Sequence, residues 1–200
     1  MIPVPRVTGP AGATLPAAGD DAARPDGGDP TAWALAARDG DPIAQAALVR
    51  GTQAEVWRFT AALVDAESAD DLTQETYLRA FRALPGFEGR SSVRTWLLGI
   101  ARRVCADHLR VVMRRRRLTA RLVAQRTDAV HPDPAGHFDA AELLGRLSAE
   151  RREAFVLTQV LGLSYAEAAE AGGVPIGTIR SRVARARAEL VDAYGQTEQS

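Results

Sequence analysis

Apolar residues in this chain recur three and four positions apart, not in alternation, so the pattern predicts helices and no strands. One stripe is Leu72, Thr76, Tyr77, Ala80 and Leu84, a second is Val93, Leu97, Ile100, Val104 and His108, and a third is Ile179, Val183, Ala186 and Leu190. Breaks fall near Asp39-Gly40-Asp41-Pro42, between Val64 and Ser68, and at Pro85-Gly86. Residues 31–113 therefore read as one unit of about four helices. Ser68-Ala69-Asp70-Asp71 is the expected start of the helix that Pro85-Gly86 stops, with carboxylates in its first turn where the helix dipole favours them. Residues 1–30 are rich in proline and glycine and show no period, and they read as a disordered tail. Residues 114–138 open with four arginines and close with His131-Pro132-Asp133-Pro134-Ala135-Gly136, the composition of a linker. A second helical unit spans 139–194, and 195–200 form a polar tail. The expected fold is all-α, with two small helical domains joined by a flexible linker.

The second unit carries a more specific pattern. Ser164-Tyr165-Ala166-Glu167 has capping-box spacing, in which serine and glutamate each satisfy an orphan amide at a helix start. That helix stops at Gly172-Gly173, and a second begins near Ile176 after Val174-Pro175. Short helix, glycine turn and longer helix make a helix-turn-helix. At about 100° per residue, Thr178, Ser181, Arg182 and Arg185 lie opposite the apolar stripe, with Arg180 and Arg187 on the other flank. Hydroxyls allow close approach to a duplex and guanidinium forks match guanine edges, so this face suits a DNA groove. The alternative is an ordinary amphipathic helix with solvated arginines.

Composition narrows the choices. With 200 residues, 46% hydrophobic and 25% charged, the chain is expected to be a soluble cytosolic protein without a membrane span or secretory signal. One cysteine, Cys105, excludes an internal disulfide, and three histidines make a structural metal unexpected; no cofactor and no small-molecule substrate are called for. The net charge of zero hides segregation, because 94–126 holds ten arginines and one acid, while 65–75 holds five acids and no base.

These charges frame two further faces. Opposite the Val93 stripe stand Trp96, Arg103, Arg110 and Arg114, an aromatic beside an arginine track, which is what unpaired bases and their phosphates require. The alternative places Trp96 at the core edge and the arginines in solvent. On the acidic helix, Leu78 projects among Asp71, Gln74, Glu75 and Arg82, which reads equally as a lone surface leucine or as an apolar anchor in a polar rim.

In this order the pieces resemble a bacterial RNA polymerase sigma factor of the extracytoplasmic-function group, and most closely its actinobacterial sigma C type. The resemblance covers about residues 31–193. It rests on Asp70-Asp71-Leu72-Thr73-Gln74-Glu75-Thr76-Tyr77-Leu78-Arg79-Ala80, on Thr95-Trp96-Leu97 with Ile100-Ala101-Arg102, on Leu161-Gly162-Leu163-Ser164-Tyr165-Ala166-Glu167, and on Pro175-Ile176-Gly177-Thr178-Ile179-Arg180-Ser181-Arg182. It implies that Asp71, Gln74, Glu75, Leu78 and Arg82 dock on the β′ clamp helices of core polymerase, with further contact to the β subunit. Phe87, Ser91, Ser92, Trp96, Arg103, Arg110 and Arg114 would capture and melt the minus-ten element. Thr178, Arg180, Ser181, Arg182 and Arg185 would read the minus-thirty-five element, and the linker would thread through the polymerase. Arg103 stands where many relatives carry asparagine, and the proline-rich tail is longer than usual for the group. Promoter DNA and core polymerase are thus the implied partners, an anti-sigma protein is a further candidate, and no catalysis is required of the chain. The competing readings are a stand-alone helix-turn-helix regulator and an arginine-rich RNA-binding protein.

Overall fold

The computed structural model describes residues 29–123 and 140–197, and the described residues form helices and short connections without strands. Four helices make the front half: α1 (Pro30–Arg38), α2 (Pro42–Leu63), α3 (Ala66–Ala83) and α4 (Val93–Val123). Four more make the back half: α5 (Ala140–Arg146), α6 (Ala149–Phe155), α7 (Tyr165–Gly172) and α8 (Ile176–Thr197). The expected tail 1–30 lies outside the described residues except for its end, where Asp29 caps α1 and Pro30 opens it. Of the expected linker, residues 114–123 continue α4, and 124–138 lie outside the described residues.

Local chemistry sets the helix ends. Asp41 accepts from the amides of Ile43 and Ala44 to start α2. The expected start of α3 at Ser68 is corrected: Asp65 is the cap, its carboxylate accepts from Ser68 N at 2.7 Å, and the helix begins at Ala66. Asp70 and Asp71 therefore lie beyond the first turn, whose acid is Glu67. The capping box at α7 is complete, with Ser164 N donating to Glu167 at 2.8 Å and Glu167 N to Ser164 Oγ at 3.2 Å. Ser164, through its hydroxyl and its backbone amide, holds the Glu167 carboxyl below its ordinary value. Gly173 then ends α7 at φ 63°, a left-handed conformation that a Cβ would strain.

The front core gathers Leu48, Val56, Phe59, Leu72, Val93, Leu97, Ile100 and Val104, all buried. Buried hydroxyls inside it are paired. Thr52 and Tyr77 share a hydrogen bond of 2.6 Å, and Thr60 and Thr73 one of 3.2 Å. Burial pushes the Tyr77 phenol up to about 12, even though the Thr52 hydrogen bond pulls the other way. The back half closes over Val156, Leu157, Ile179, Val183 and Ala186, and a single π-helical turn at Val156–Val160 joins α6 to the Leu161–Ser164 loop.

The two halves are packed together, and their buried apolar residues form one continuous cluster. A second stripe on α4, made of Leu98, Ala101 and Cys105, is buried beside the first. At Gly99 a Cβ would stand 3.4 Å from the Ala171 carbonyl oxygen, so α4 and α7 meet almost backbone to backbone. Burial pushes the Cys105 thiol up to about 12, which keeps it protonated and unreactive.

Phe59 is fully buried, and Phe59→Ala is expected to cost about 3–5 kcal/mol, read as a lower midpoint in urea unfolding. Glu167→Ala is expected to cost about 0.3–1.5 kcal/mol at pH 7. Because the folded carboxyl titrates below the ordinary value of 4.5, this stabilisation is present above that pH and is lost as pH falls through the folded value. Wild type and variant should therefore converge in stability in acid, as unfolding curves at pH 7 and pH 3 would show.

Candidate nucleic-acid and polymerase interfaces

On α3, the residues expected to dock on polymerase share one outward face. Asp71, Gln74 and Arg82 are exposed, Leu78 is 54% exposed among them, and Glu75 is half-buried. The inner face, with Leu72, Thr76, Tyr77 and Ala80, is buried as the spacing predicts. Glu75 accepts from Arg79 at 2.7 Å, and Arg79 donates in turn to Asp107 on α4, also at 2.7 Å. Asp107 takes Arg110 at 2.7 Å as well. Hydrogen bonding from Arg79 holds the Asp107 carboxyl below its ordinary value. A chain of ion pairs thus joins the acidic face of α3 to the arginine track of α4.

The minus-ten candidates divide by exposure. Arg103, Arg110 and Arg114 are exposed on the side of α4 away from the back half. Trp96 is half-buried and packs on Phe87 with ring centroids 5.0 Å apart. Phe87 itself is 4% exposed, so here it supports the indole from beneath instead of presenting its own ring. Ser92 starts α4: its Oγ accepts from Thr95 N at 3.1 Å and pairs with Thr95 Oγ1 at 2.9 Å. Ser91 is half-buried beside it. His108, expected on the buried stripe, is half-buried.

On α8 the apolar stripe Ile179, Val183 and Ala186 is buried and Leu190 half-buried. Arg180, Ser181 and Arg185 are exposed, while Thr178 and Arg182 are half-buried. Ser181 Oγ donates to the Thr178 carbonyl at 3.0 Å. Arg187, on the far flank, donates to Gln159 at 2.6 Å, and Arg151 of α6 pairs with Glu189. These contacts fix the helix on its scaffold and leave Arg180, Ser181 and Arg185 open.

Polar groups at the seam between the halves had no signal in the stripes. Arg94 of α4 binds Glu55 of α2, with Nε 2.7 Å from Oε1, and also reaches the Leu161 carbonyl. Arg102 Nε lies 2.7 Å from Glu153 Oε1 on α6. Arg152 donates to the Leu63 carbonyl at the end of α2 at 3.2 Å, and to the Gly145 and Leu147 carbonyls at 2.8 and 3.3 Å. A carboxylate and an arginine far apart in sequence give no periodic mark, so only the surplus width of the apolar face of α4 could have pointed to this seam.

Among the described residues no group of three or more His, Cys, Asp or Glu side chains is placed to hold a metal ion, and no helix is long and apolar enough to cross a membrane. The family described as Sigma-70 region 2 matches residues 48–117, and that described as Sigma-70, region 4 matches residues 137–190. The ECF RNA polymerase sigma factor SigC of Mycobacterium tuberculosis (strain CDC 1551 / Oshkosh) is 52% identical over 167 residues, 82% of this chain and 90% of that protein. Among solved structures, CnrH in complex with the cytosolic domain of CnrY matches at a TM-score of 0.65 and 24% identity, covering 84% of this chain and 99% of that one. The sigma factor RpoE in complex with the anti-sigma factor NepR from Bartonella quintana matches at 0.55 and 32% identity, covering 72% and 92%. Region 2 in the front half and region 4 in the back half set aside both the stand-alone regulator and the RNA-binding protein. The chain belongs to the sigma-70 family, in its extracytoplasmic-function group, as an alternative sigma factor: a non-enzymatic subunit that brings core RNA polymerase to promoters and initiates transcription there.

Proposed function

We propose that the two halves divide the work of initiation: the front half grips the polymerase clamp and opens the minus-ten element, and the back half reads the minus-thirty-five duplex. The observation that carries the clamp assignment is Leu78, an exposed apolar side chain ringed by Asp71, Gln74, Glu75 and Arg82. An apolar anchor with a charged rim is how binding energy concentrates at protein interfaces. Trp96, seated on Phe87, is a rigid platform for an unstacked base, and Arg103, Arg110 and Arg114 line up to hold the separated strand. Unstacking costs a few kcal/mol per base, which stacking and phosphate contacts offset.

On α8, Arg182 and Arg185 are the candidates for guanine edges, with Thr178, Arg180 and Ser181 placed for phosphate and sugar. The two promoter elements lie about 25 base pairs apart, or roughly 85 Å of duplex. Halves packed backbone to backbone do not reach both, so engagement of a whole promoter requires them to part. RpoE of Bartonella quintana is seen with an anti-sigma factor, and an anti-sigma protein is accordingly proposed as a partner of this chain too. Its place of work is the cytoplasm, where core polymerase and promoter DNA are found.

Transcription from a promoter library by purified core polymerase, with and without this chain, tests the assignment; no new start sites on adding the chain would refute it. Leu78→Asp should abolish recovery of core polymerase in a pull-down while leaving the unfolding midpoint unchanged, since the side chain supports no core. Arg185→Ala should cost about 1–3 kcal/mol on cognate minus-thirty-five duplex and little on a scrambled one, measured by binding titration. Equal losses on both would assign this arginine to phosphate.

A further inference from the structure

The segment from Phe87 to Ser92, which leads into α4, is held from one side by a single row of side chains on α1. Thr31, Leu35 and Arg38 stand four and three residues apart, so they share one face of that helix. Thr31 Oγ1 accepts from Val93 N at 3.3 Å. Val93 is fully buried and opens α4, where an amide has no acceptor within its own helix. Leu35 lies beneath the bend at Gly89, where φ is 70° and a Cβ would stand 3.7 Å from a leucine methyl carbon. Arg38 Nη1 donates to the Phe87 carbonyl at 3.2 Å. Both ends of the segment and its middle are thus tied to α1. Among the described residues, 88–91 make no backbone hydrogen bond with one another, so the segment has no scaffold of its own.

Helix α1 is in turn set in the front core by other residues. Ala34 and Ala37 are buried, and Trp33 sits so close on α2 that a Cβ at Gly51 would come within 2.5 Å of its ring. These three anchor the helix and leave the row of Thr31, Leu35 and Arg38 to the segment. We infer that α1 is a positioning element for strand opening: Thr31, Leu35 and Arg38 fix the 87–92 segment, and through Phe87 the indole of Trp96, in the arrangement that receives an unpaired minus-ten base. This rests on the minus-ten reading of that segment and of α4. The role falls to residues 30–38, which precede the Sigma-70 region 2 match at 48–117. A base leaving its stack gains most from contacts already in place, because ordering the segment at that moment would cost its conformational freedom.

The test uses the full chain with core polymerase and promoters altered one base pair at a time across the minus-ten and minus-thirty-five elements. The readout is the ratio of transcription from the parent promoter to that from each altered one. R38A and T31V should each lower the minus-ten ratios by about fivefold, as for one lost hydrogen bond, and leave the minus-thirty-five ratios and recovery of core polymerase unchanged. T31S keeps the acceptor and should behave as wild type. Transcription reduced evenly from every promoter gives α1 a structural role only and overturns the inference, as do wild-type ratios in T31V. Should T31V fail to fold, R38A decides, since that side chain is 33% exposed and lies outside the core: lowered minus-ten ratios support the inference, and wild-type ratios overturn it. If W96A lowers the minus-ten ratios while R38A and T31V do not, the inference falls and the minus-ten reading stands. If no minus-ten position matters to the wild-type chain, that reading falls with it.

Discussion

Helix α4 is buried on two sides at once, and this constraint organises the rest of the molecule. Val93, Leu97, Ile100 and Val104 close the front core, while Leu98, Ala101 and Cys105 meet the back half around Gly99. At about 100° per residue these two stripes together span roughly 160° of the helix surface. Trp96, Arg103, Arg110 and Arg114 lie together on the side that remains. The side chains proposed to face DNA are grouped there, clear of both packed stripes.

The same economy governs α3 and α8. Each gives one face to apolar packing and concentrates its chemistry on the other, so position on a helix and role in transcription are tied together by the 3.6-residue period. The ion-pair chain from Glu75 through Arg79 and Asp107 to Arg110 links two such outer faces. Open to solvent along one side, it adds modestly to stability. Its effect is to orient side chains that the proposed partners would meet.

Much of this was legible in the sequence, because periodicity and capping are local. The buried stripes of α3, α4 and α8, the Ser164–Glu167 box, the Gly173 stop and the projection of Leu78 all follow from residues within a few turns of each other. The start of α3 differs from the expected one because Asp65 and Ser68 are both good caps, and only the direction of the hydrogen bond distinguishes them. The contact between halves was not legible, since its partners Arg94 with Leu161, Arg102 with Glu153 and Arg152 with Leu63 are dozens of residues apart. Phe87, read as a contact for DNA, is buried because an aromatic after a Pro-Gly turn serves a core as readily as a ligand.

Arg152 forms a polar part of the seam between the halves. One guanidinium plugs the carbonyl end of α2 and two carbonyls at the end of α5 and just after it, and its own Nε is buried with no partner among the described residues. If the halves part, the Leu63 carbonyl and the arginine arm that held it can each take a water molecule in place of the lost neighbour, while the Gly145 and Leu147 contacts stay within the back half. The boundary therefore mixes polar contacts that water can replace with the apolar strip of Leu98, Ala101 and Cys105, which separation would lay open.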